Sequence, residues 1–140
     1  MRYLAVDYGR KRTGLAVCDE GESMASPLAV VEGTTDLIER IQQTIAREKI
    51  GAIVLGLPLN MDGTEGPQAA EVRTFGGLLH QRLGIAVEFF DERLSSFDAE
   101  NKLGAMELTR GKKKKRLDAI AAAAFLQAFL DSRKKADSGG

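Results

Sequence analysis

Acidic side chains stand at three points where predicted secondary structure begins or ends. Asp7 closes an apolar run, Glu92 follows Asp91 at the end of another, and Asp118 lies at the start of a helical pattern. Clustered carboxylates supply the hard oxygen ligands that Mg²⁺ and Mn²⁺ prefer. Two such ions about 4 Å apart can activate water and stabilise the leaving oxygen in phosphodiester hydrolysis. We therefore expect a metal-dependent site with two ions if these carboxylates converge.

Each acid also has a simpler explanation when it is considered alone. Asp7 fits a turn before Gly9, and Asp118 in a first helical turn is favoured by the helix dipole. Glu92 fits a solvated position beyond a strand. Because neighbouring residues of a strand point to opposite faces, only one of Asp91 and Glu92 should face the ions. The prediction of a site therefore depends on convergence.

Basic residues form two clusters although the chain as a whole carries no net charge. The protein has 20 basic and 20 acidic residues, so its overall charge does not identify a partner. Residues 110–116 read RGKKKKR, and Arg10, Lys11 and Arg12 form the second cluster. Both are candidate phosphate contacts, and both are also compatible with solvated loops.

The apolar periodicity predicts an α/β fold with a mixed sheet. Residues 2–6, 14–18 and 27–32 are expected to form an antiparallel meander. Helical and strand patterns then alternate, which favours parallel strands linked by helices. The expected elements are a helix to about Lys49 with Thr34 or Thr35 as its N-cap, a strand over 52–57, a helix over 67–83, a strand over 85–90, a short helix over 95–106, and a final helix from Leu117.

This order of elements predicts where the acids meet. Right-handed crossovers would place the fourth strand beside the first and the fifth strand outside the fourth. The boundary beside the first strand is then a topological switch point, where crevices open at the carboxyl ends of strands. Asp7 and the pair Asp91-Glu92 both lie at such ends, and the last helix can bring Asp118 to the same edge.

Length and hydropathy exclude several classes of protein. A chain of 140 residues fits one packed domain. It has no apolar stretch of the 18 to 20 residues that a membrane helix needs, and its first residues leave no room for a secretory signal. Its single cysteine, Cys18, cannot form an internal disulfide. We expect a cytoplasmic protein with one domain over residues 1–132 and a flexible tail over 133–140.

Four motifs in succession resemble those of the YqgF family, also called RuvX. They are DYGRKRTGLA from Asp7, GLPLNMDG from Gly56, DERLSS from Asp91 and LDAIAA from Leu117. The resemblance covers about residues 2–130. It implies a ribonuclease-H-like fold similar to RuvC-type Holliday junction resolvases, with a five-stranded mixed sheet and helices on both faces. It further implies a nuclease that matures the 5′ end of pre-16S ribosomal RNA.

The resemblance also implies roles for individual residues. Asp7, Glu92 and Asp118 match the acidic positions proposed to bind metal and catalyse, which favours Glu92 over Asp91. The expected nucleic-acid contacts are Arg10, Lys11, Arg12, Arg93, Lys112, Lys113, Lys114, Lys115 and Arg116.

Other functions remain open at this point. Branched DNA is an alternative substrate, which would call for a symmetric dimer, whereas an enzyme acting on precursor rRNA is compatible with a monomer or a homodimer. Asp7-x-Gly9 followed by Thr13-Gly14 also resembles the phosphate-binding hairpin of actin-like kinases, although such enzymes use two related domains. A non-catalytic nucleic-acid binder that uses the basic segment is a further possibility.

Overall fold

The computed structural model describes the backbone of residues 1–94 and 110–139, and the side chains of residues 1–94 and 117–134. The helix expected over 95–106 lies outside the described residues. The described elements are β1 (Tyr3–Asp7), β2 (Arg12–Cys18), β3 (Ala25–Glu32), α1 (Leu37–Glu48), β4 (Ala52–Leu57), α2 (Pro67–Leu83), β5 (Ala86–Asp91), a 3₁₀ turn (Glu92–Leu94) and α3 (Arg110–Gly139).

The five strands form one mixed sheet in the order β3-β2-β1-β4-β5. β2 pairs antiparallel with both β1 and β3, whereas β4 pairs parallel with β1 and with β5. The predicted fold class and strand order are confirmed. The carboxyl ends of β1, β4 and β5 consequently lie side by side at one edge of the sheet.

Helices cover both faces of the sheet, as predicted. Leu4 and Val6 of β1 point into a core shared with α1 and α2. Tyr3 and Ala5 point to the other face and pack with α3. Both cores are apolar because alternate residues of β1 and β2 meet a helix on each side, which explains the nearly continuous hydrophobicity of these strands.

Two helix boundaries differ from the expectations. The first helix begins at Leu37 with Asp36 at its N-cap, not at Thr34 or Thr35, because the Leu37 amide closes a turn onto the Thr34 carbonyl before the helix starts. The loop expected over 110–116 is wrong, since these residues form the first two turns of α3. Lysine and arginine are good helix formers, and this preference prevails over their mutual repulsion and over Gly111.

The early start of α3 changes the position of Asp118. This residue lies more than two turns inside α3 rather than in the first turn, so the helix dipole does not account for it. At its other end α3 continues to Gly139, beyond Arg133, where the sequence predicts the end of the domain. Within the described residues no helix has both the length and the apolar composition that a membrane span requires.

Candidate active site

Strand alternation places Asp7 on the face of the sheet that α3 covers. Tyr3 and Ala5 pack in the core beneath α3, and Asp7 follows them with the same parity at the end of β1. Phe90 of β5 also packs against this core, so Glu92, two residues further on, returns to the same side. Asp91 points away from it. This geometry gives a physical reason why Glu92, rather than Asp91, meets Asp7.

Gly56 of β4 provides the space through which Glu92 reaches Asp7. β4 lies between β1 and β5, so the two carboxylates begin two strands apart. A Cβ placed on Gly56 would stand 2.6 Å from Glu92 Oε1 and 2.9 Å from the Phe125 ring. The Glu92 side chain therefore crosses the sheet surface over Gly56, and a larger residue there would block its path.

A second glycine brings Asp118 to the site from the opposite side. Gly14 of β2 is the register partner of Asp7. A Cβ placed on Gly14 would overlap the backbone carbonyl of Asp118 and would stand 2.7 Å from the Ala119 nitrogen. The backbone of α3 thus contacts β2 at Gly14, and this contact places Asp118 close to Asp7.

The three carboxylates line one open cleft of about 620 Å³ at the carboxyl edge of the sheet. Its walls come from the β1–β2 turn, the residue after β4, the first turns of α2, the 3₁₀ turn and α3. The lining residues are Asp7, Tyr8, Gly9, Arg10, Lys11, Arg12, Pro58, Pro67, Gln68, Glu71, Val72, Glu92 and Asp118. All three predicted acids and the basic residues Arg10, Lys11 and Arg12 are therefore brought together.

Burial at this edge of the sheet raises the pKa values of Asp7 and Glu92. Burial, together with the nearby charge and hydrogen bond of Glu92, raises the pKa of Asp7 from 3.8 to about 8. Burial likewise raises the pKa of Glu92, although its hydrogen bond with Asp7 acts in the opposite direction. Two carboxyl groups can share a hydrogen bond only when one of them holds a proton. Without a cation, the site compensates its excess negative charge in this way.

Two arginines of the β1–β2 turn are paired with acids at the rim of the cleft. Arg12 Nε donates to Asp118 Oδ2 at 3.0 Å, and both side chains are partly buried. Arg10 forms an ion pair with Glu71 of α2. Lys11, between them, is exposed and also lines the cleft.

Arg93 lies outside this cleft and holds a neighbouring loop. Its guanidinium makes bonds of 2.8 to 3.1 Å to the Asp91 carboxylate, which lowers the pKa of Asp91 through that hydrogen bond. It also donates to the carbonyls of Asn60 and Met61 at 3.2 Å each. Arg93 therefore fastens the loop between β4 and α2 to the end of β5. Its predicted contact with nucleic acid stays a prediction.

The basic segment 110–116 belongs to the helix that carries Asp118. Lys112, Lys113, Lys114, Lys115 and Arg116 occupy the turns of α3 directly before Leu117 and Asp118. Their side chains lie outside the described residues. Their direct contact with substrate also stays a prediction.

The donor set fits a hard divalent cation in its chemistry. Asp7, Glu92 and Asp118 offer only oxygen ligands, and no histidine or cysteine lines the cleft. Among the described side chains, no three His, Cys, Asp or Glu groups are already arranged to hold a metal ion. One reason is visible: the Asp118 carboxylate is turned to Arg12. Asp7 and Glu92, which share a hydrogen bond, and Asp118, which pairs with Arg12, are the carboxylates whose charge a bound cation would neutralise.

Sequence reasoning did not assign the two glycines that shape the site. Gly56 lies inside the predicted strand 52–57, and a glycine within a strand signals close approach of another group. Gly14 opens the predicted strand 14–18, so the sequence carried no such signal for it. Tyr8 and Glu71, which also line the cleft, carried no comparable signal.

The architecture defines a ribonuclease-H-like fold with three carboxylates at one edge of its sheet. The family described as "RuvX: Holliday junction resolvase" matches residues 1–132, and the chain belongs to this family.

Relatives in sequence agree with this assignment. A protein of Anaeromyxobacter sp. (strain Fw109-5) named "Putative pre-16S rRNA nuclease" is 46% identical over 136 residues, covering 95% of this chain and 98% of its own. One of the same name from Maridesulfovibrio salexigens is 39% identical over 132 residues, covering 93% and 98%.

The fold resembles that of two solved structures. RuvC of Thermus thermophilus in complex with a Holliday junction substrate superposes with a TM-score of 0.60 at 18% identity, covering 96% of both chains. The fowlpox virus Holliday junction resolvase superposes with a TM-score of 0.53 at 14% identity, covering 95% of this chain and 99% of its own.

Proposed function

We propose that this protein is a metal-dependent nuclease that hydrolyses phosphodiester bonds, and that its reaction is the processing of the 5′ end of pre-16S ribosomal RNA in the cytoplasm. The observation that carries the proposal is the convergence of Asp7, Glu92 and Asp118 in one cleft with Arg10, Lys11 and Arg12 at its rim. The names of relatives that are 39–46% identical over nearly the whole chain support the choice of substrate.

Asp7, Glu92 and Asp118 are the residues that would hold Mg²⁺ or Mn²⁺. When bound, two such ions lower the pKa of a water molecule and stabilise the leaving oxygen of a phosphodiester. The chain itself supplies the rigid position of the ligands. Asp7 ends a central strand, Glu92 is aligned across Gly56, and Asp118 is set by the contact of α3 with Gly14.

The basic side chains would hold the phosphate backbone. Arg10, Lys11 and Arg12 lie within a few residues of Asp7 on one turn, so a phosphate bound by them is brought next to the carboxylates. Lys112 to Arg116 precede Asp118 on α3 and would extend the contact along the strand. Each phosphate neutralised contributes to a salt dependence of binding that can be measured.

The central experiment is a cleavage assay with the purified protein on a 5′-extended fragment of precursor 16S rRNA. We expect cleavage with Mg²⁺ or Mn²⁺, no cleavage with EDTA, and a loss on the order of 100-fold or more in Asp7→Asn. Asp36→Asn is the matched control, since it makes the same chemical change at an exposed position before α1. Failure to cleave any nucleic acid, or an Asp7→Asn protein as active as wild type, would overturn the proposal.

A second candidate is an endonuclease for branched DNA, acting in recombination or repair. The similarity of the fold to two resolvases and the description of the family favour it. Cutting two strands in concert calls for a symmetric dimer, so the oligomeric state tests this second candidate. A four-way junction cleaved faster than precursor rRNA by a dimeric protein would favour the resolvase. A strictly monomeric protein would count against it.

A further inference from the structure

A second groove adjoins the cleft on the other side of the Tyr8 side chain. It has a volume of about 500 Å³ and runs along one side of α2. Its lining is mostly apolar and consists of Tyr8, Arg10, Ala70, Glu71, Thr74, Phe75 and Leu78. Tyr8, Arg10 and Glu71 line both this groove and the carboxylate cleft, so they form the wall between the two. We call this second cavity the Tyr8 groove.

The wall contains an aromatic platform. The Tyr8 ring stacks on Phe75 with ring centroids 4.2 Å apart and an angle of 20° between their planes. Phe75 is only 8% exposed, so the lower ring is anchored in the core beneath α2. Tyr8 directly follows Asp7, which ties the platform to the site at the end of β1. A ring held in this manner can stack a further planar group at low entropic cost.

The wall also contains the Arg10 guanidinium, which can bind a phosphate. Arg10 is paired with Glu71, but the Arg10 side chain is 79% exposed and that of Glu71 39%. Such exposed ion pairs contribute little to stability, so exchange of the carboxylate for another anion costs little. A phosphate offers the guanidinium the same planar arrangement of two oxygen acceptors that a carboxylate does.

We propose that the Tyr8 groove binds one unpaired nucleotide of the substrate strand, adjacent to the nucleotide whose phosphate enters the carboxylate cleft. The base stacks against the Tyr8–Phe75 pair and covers Ala70 and Leu78, while its phosphate replaces Glu71 on Arg10. The inference rests on the proposed nuclease function. It adds a preference for single-stranded segments, because a base within a duplex is already stacked and paired and cannot enter the groove.

The first test measures binding of a short single-stranded RNA in EDTA, with the fluorescent base 2-aminopurine at successive positions. In the wild-type protein we expect fluorescence to change on binding at one position only. Tyr8→Leu should weaken binding by about 5- to 100-fold and abolish that change, whereas Tyr8→Phe should keep both. The salt dependence of binding should remain the same in Tyr8→Leu, because stacking involves no counterion release.

Substitution of Arg10 should change the salt dependence of binding and leave the fluorescence signal unchanged. Arg10→Gln removes one phosphate contact, so the slope of log K against log salt should become less steep by about 1, with the 2-aminopurine change retained. Glu71→Gln removes the competitor for Arg10 and should tighten binding.

A second pair of variants avoids the core contact of Tyr8. Ala70→Glu places a negative side chain in the groove at an exposed position of α2. Ala46→Glu adds the same side chain at an exposed position of α1 and serves as the control. We expect Ala70→Glu to weaken binding of single strands and Ala46→Glu to leave it unchanged.

The outcomes separate this inference from the proposed function. If the protein cleaves precursor rRNA but Tyr8→Leu and Ala70→Glu bind single strands as tightly as wild type, the groove proposal is overturned and the nuclease stands. If Tyr8→Leu does not fold, the comparison of Ala70→Glu with Ala46→Glu decides. If the wild-type protein binds no nucleic acid, both proposals fail.

Discussion

The Glu92 side chain lies directly over Gly56, with its Cγ at 2.8 Å from the point where a Cβ on Gly56 would stand. This relationship allows a carboxylate that begins on β5 to reach Asp7 on β1, two strands away. The absence of a side chain at position 56 is thus as necessary to the site as the presence of the acid at position 92.

Gly56→Ala should therefore impair the site while the sheet remains intact. The added methyl group would push Glu92 away from Asp7, and a displacement of about 1 Å can cost on the order of 100-fold in rate. Overpacking should also lower the free energy of unfolding by about 1–3 kcal/mol. Cleavage rate and urea unfolding measure the two effects.

Gly77→Ala is the control for this substitution. Gly77 lies inside α2, and a Cβ added there would stand in open space. The change should leave activity unaltered and raise stability by up to about 1 kcal/mol, since alanine favours a helix more than glycine does. Equal activity in Gly56→Ala and Gly77→Ala would contradict the assigned role of Gly56.

Asp7→Asn should stabilise the metal-free protein at neutral and alkaline pH. The pKa of Asp7 is raised from 3.8 to about 8 in the folded state, so the folded protein holds a proton that the unfolded chain releases above about pH 4. Stability of the wild type consequently falls as pH rises from about 4 to 8. Asparagine does not titrate, and this loss should be absent.

The measurement is the melting temperature against pH in EDTA. We expect the curves of wild type and Asp7→Asn to diverge as pH increases. Each kcal/mol of difference in the free energy of unfolding should separate the melting temperatures by about 4 °C. Mg²⁺ or Mn²⁺ should stabilise the wild type more than the variant, since ligand binding to the folded state stabilises it. Parallel curves across this pH range would show that Asp7 is not crowded as described.

Arg12→Gln should move metal binding and nucleic-acid binding in opposite directions. The variant frees the Asp118 carboxylate from its 3.0 Å bond with Arg12 Nε, so Mn²⁺ should bind more tightly. A partly exposed ion pair is worth about 0.2–1 kcal/mol, which limits the gain to roughly fivefold. Loss of the cation should at the same time weaken RNA binding and lower its salt slope. Calorimetric titration with Mn²⁺ alone, followed by RNA binding in EDTA, checks both; metal affinity that decreases would refute the competition.

Arg93→Gln should loosen the loop between β4 and α2. Arg93 holds the carbonyls of Asn60 and Met61 and is itself fixed by Asp91, so its removal leaves that loop without its link to β5. Hydrogen exchange of the amides of residues 60–64 should accelerate.

Arg73→Gln provides the comparison for Arg93→Gln. Arg73 pairs with Glu65 at the far end of the same loop but makes no bond to its backbone carbonyls among the hydrogen bonds described for residues 1–94. A smaller effect on exchange is expected. Equal exchange in wild type and Arg93→Gln would mean that the loop is held by its internal bonds alone.

Much of the fold follows from the sequence by local rules. β4 is a continuous apolar run that helices bury on both sides, and the predicted range 52–57 equals the observed Ala52–Leu57. Pro67 and Gly84 mark the ends of α2, because proline suits a first turn and glycine adopts the left-handed conformation after the last one. The predicted start of α3 at Leu117 is wrong, because helix propensity prevails over the repulsion among the basic residues that precede it.

The sequence by itself determined the identities of the three acids and the places of Asp7 and Glu92 at the carboxyl ends of strands. Strand alternation also predicts that only one of Asp91 and Glu92 faces the site, because alternation is a local rule. Only the tertiary structure decided that Glu92 passes over Gly56, that α3 rests on Gly14 and that Arg12 engages Asp118. These contacts join residues 36 to 106 positions apart in the chain. They depend on how closely two packed elements approach each other in space. Gly14 and Gly56, beside Asp7 on the two neighbouring strands, permit that approach. Residue type and spacing do not say which side chain or helix makes it.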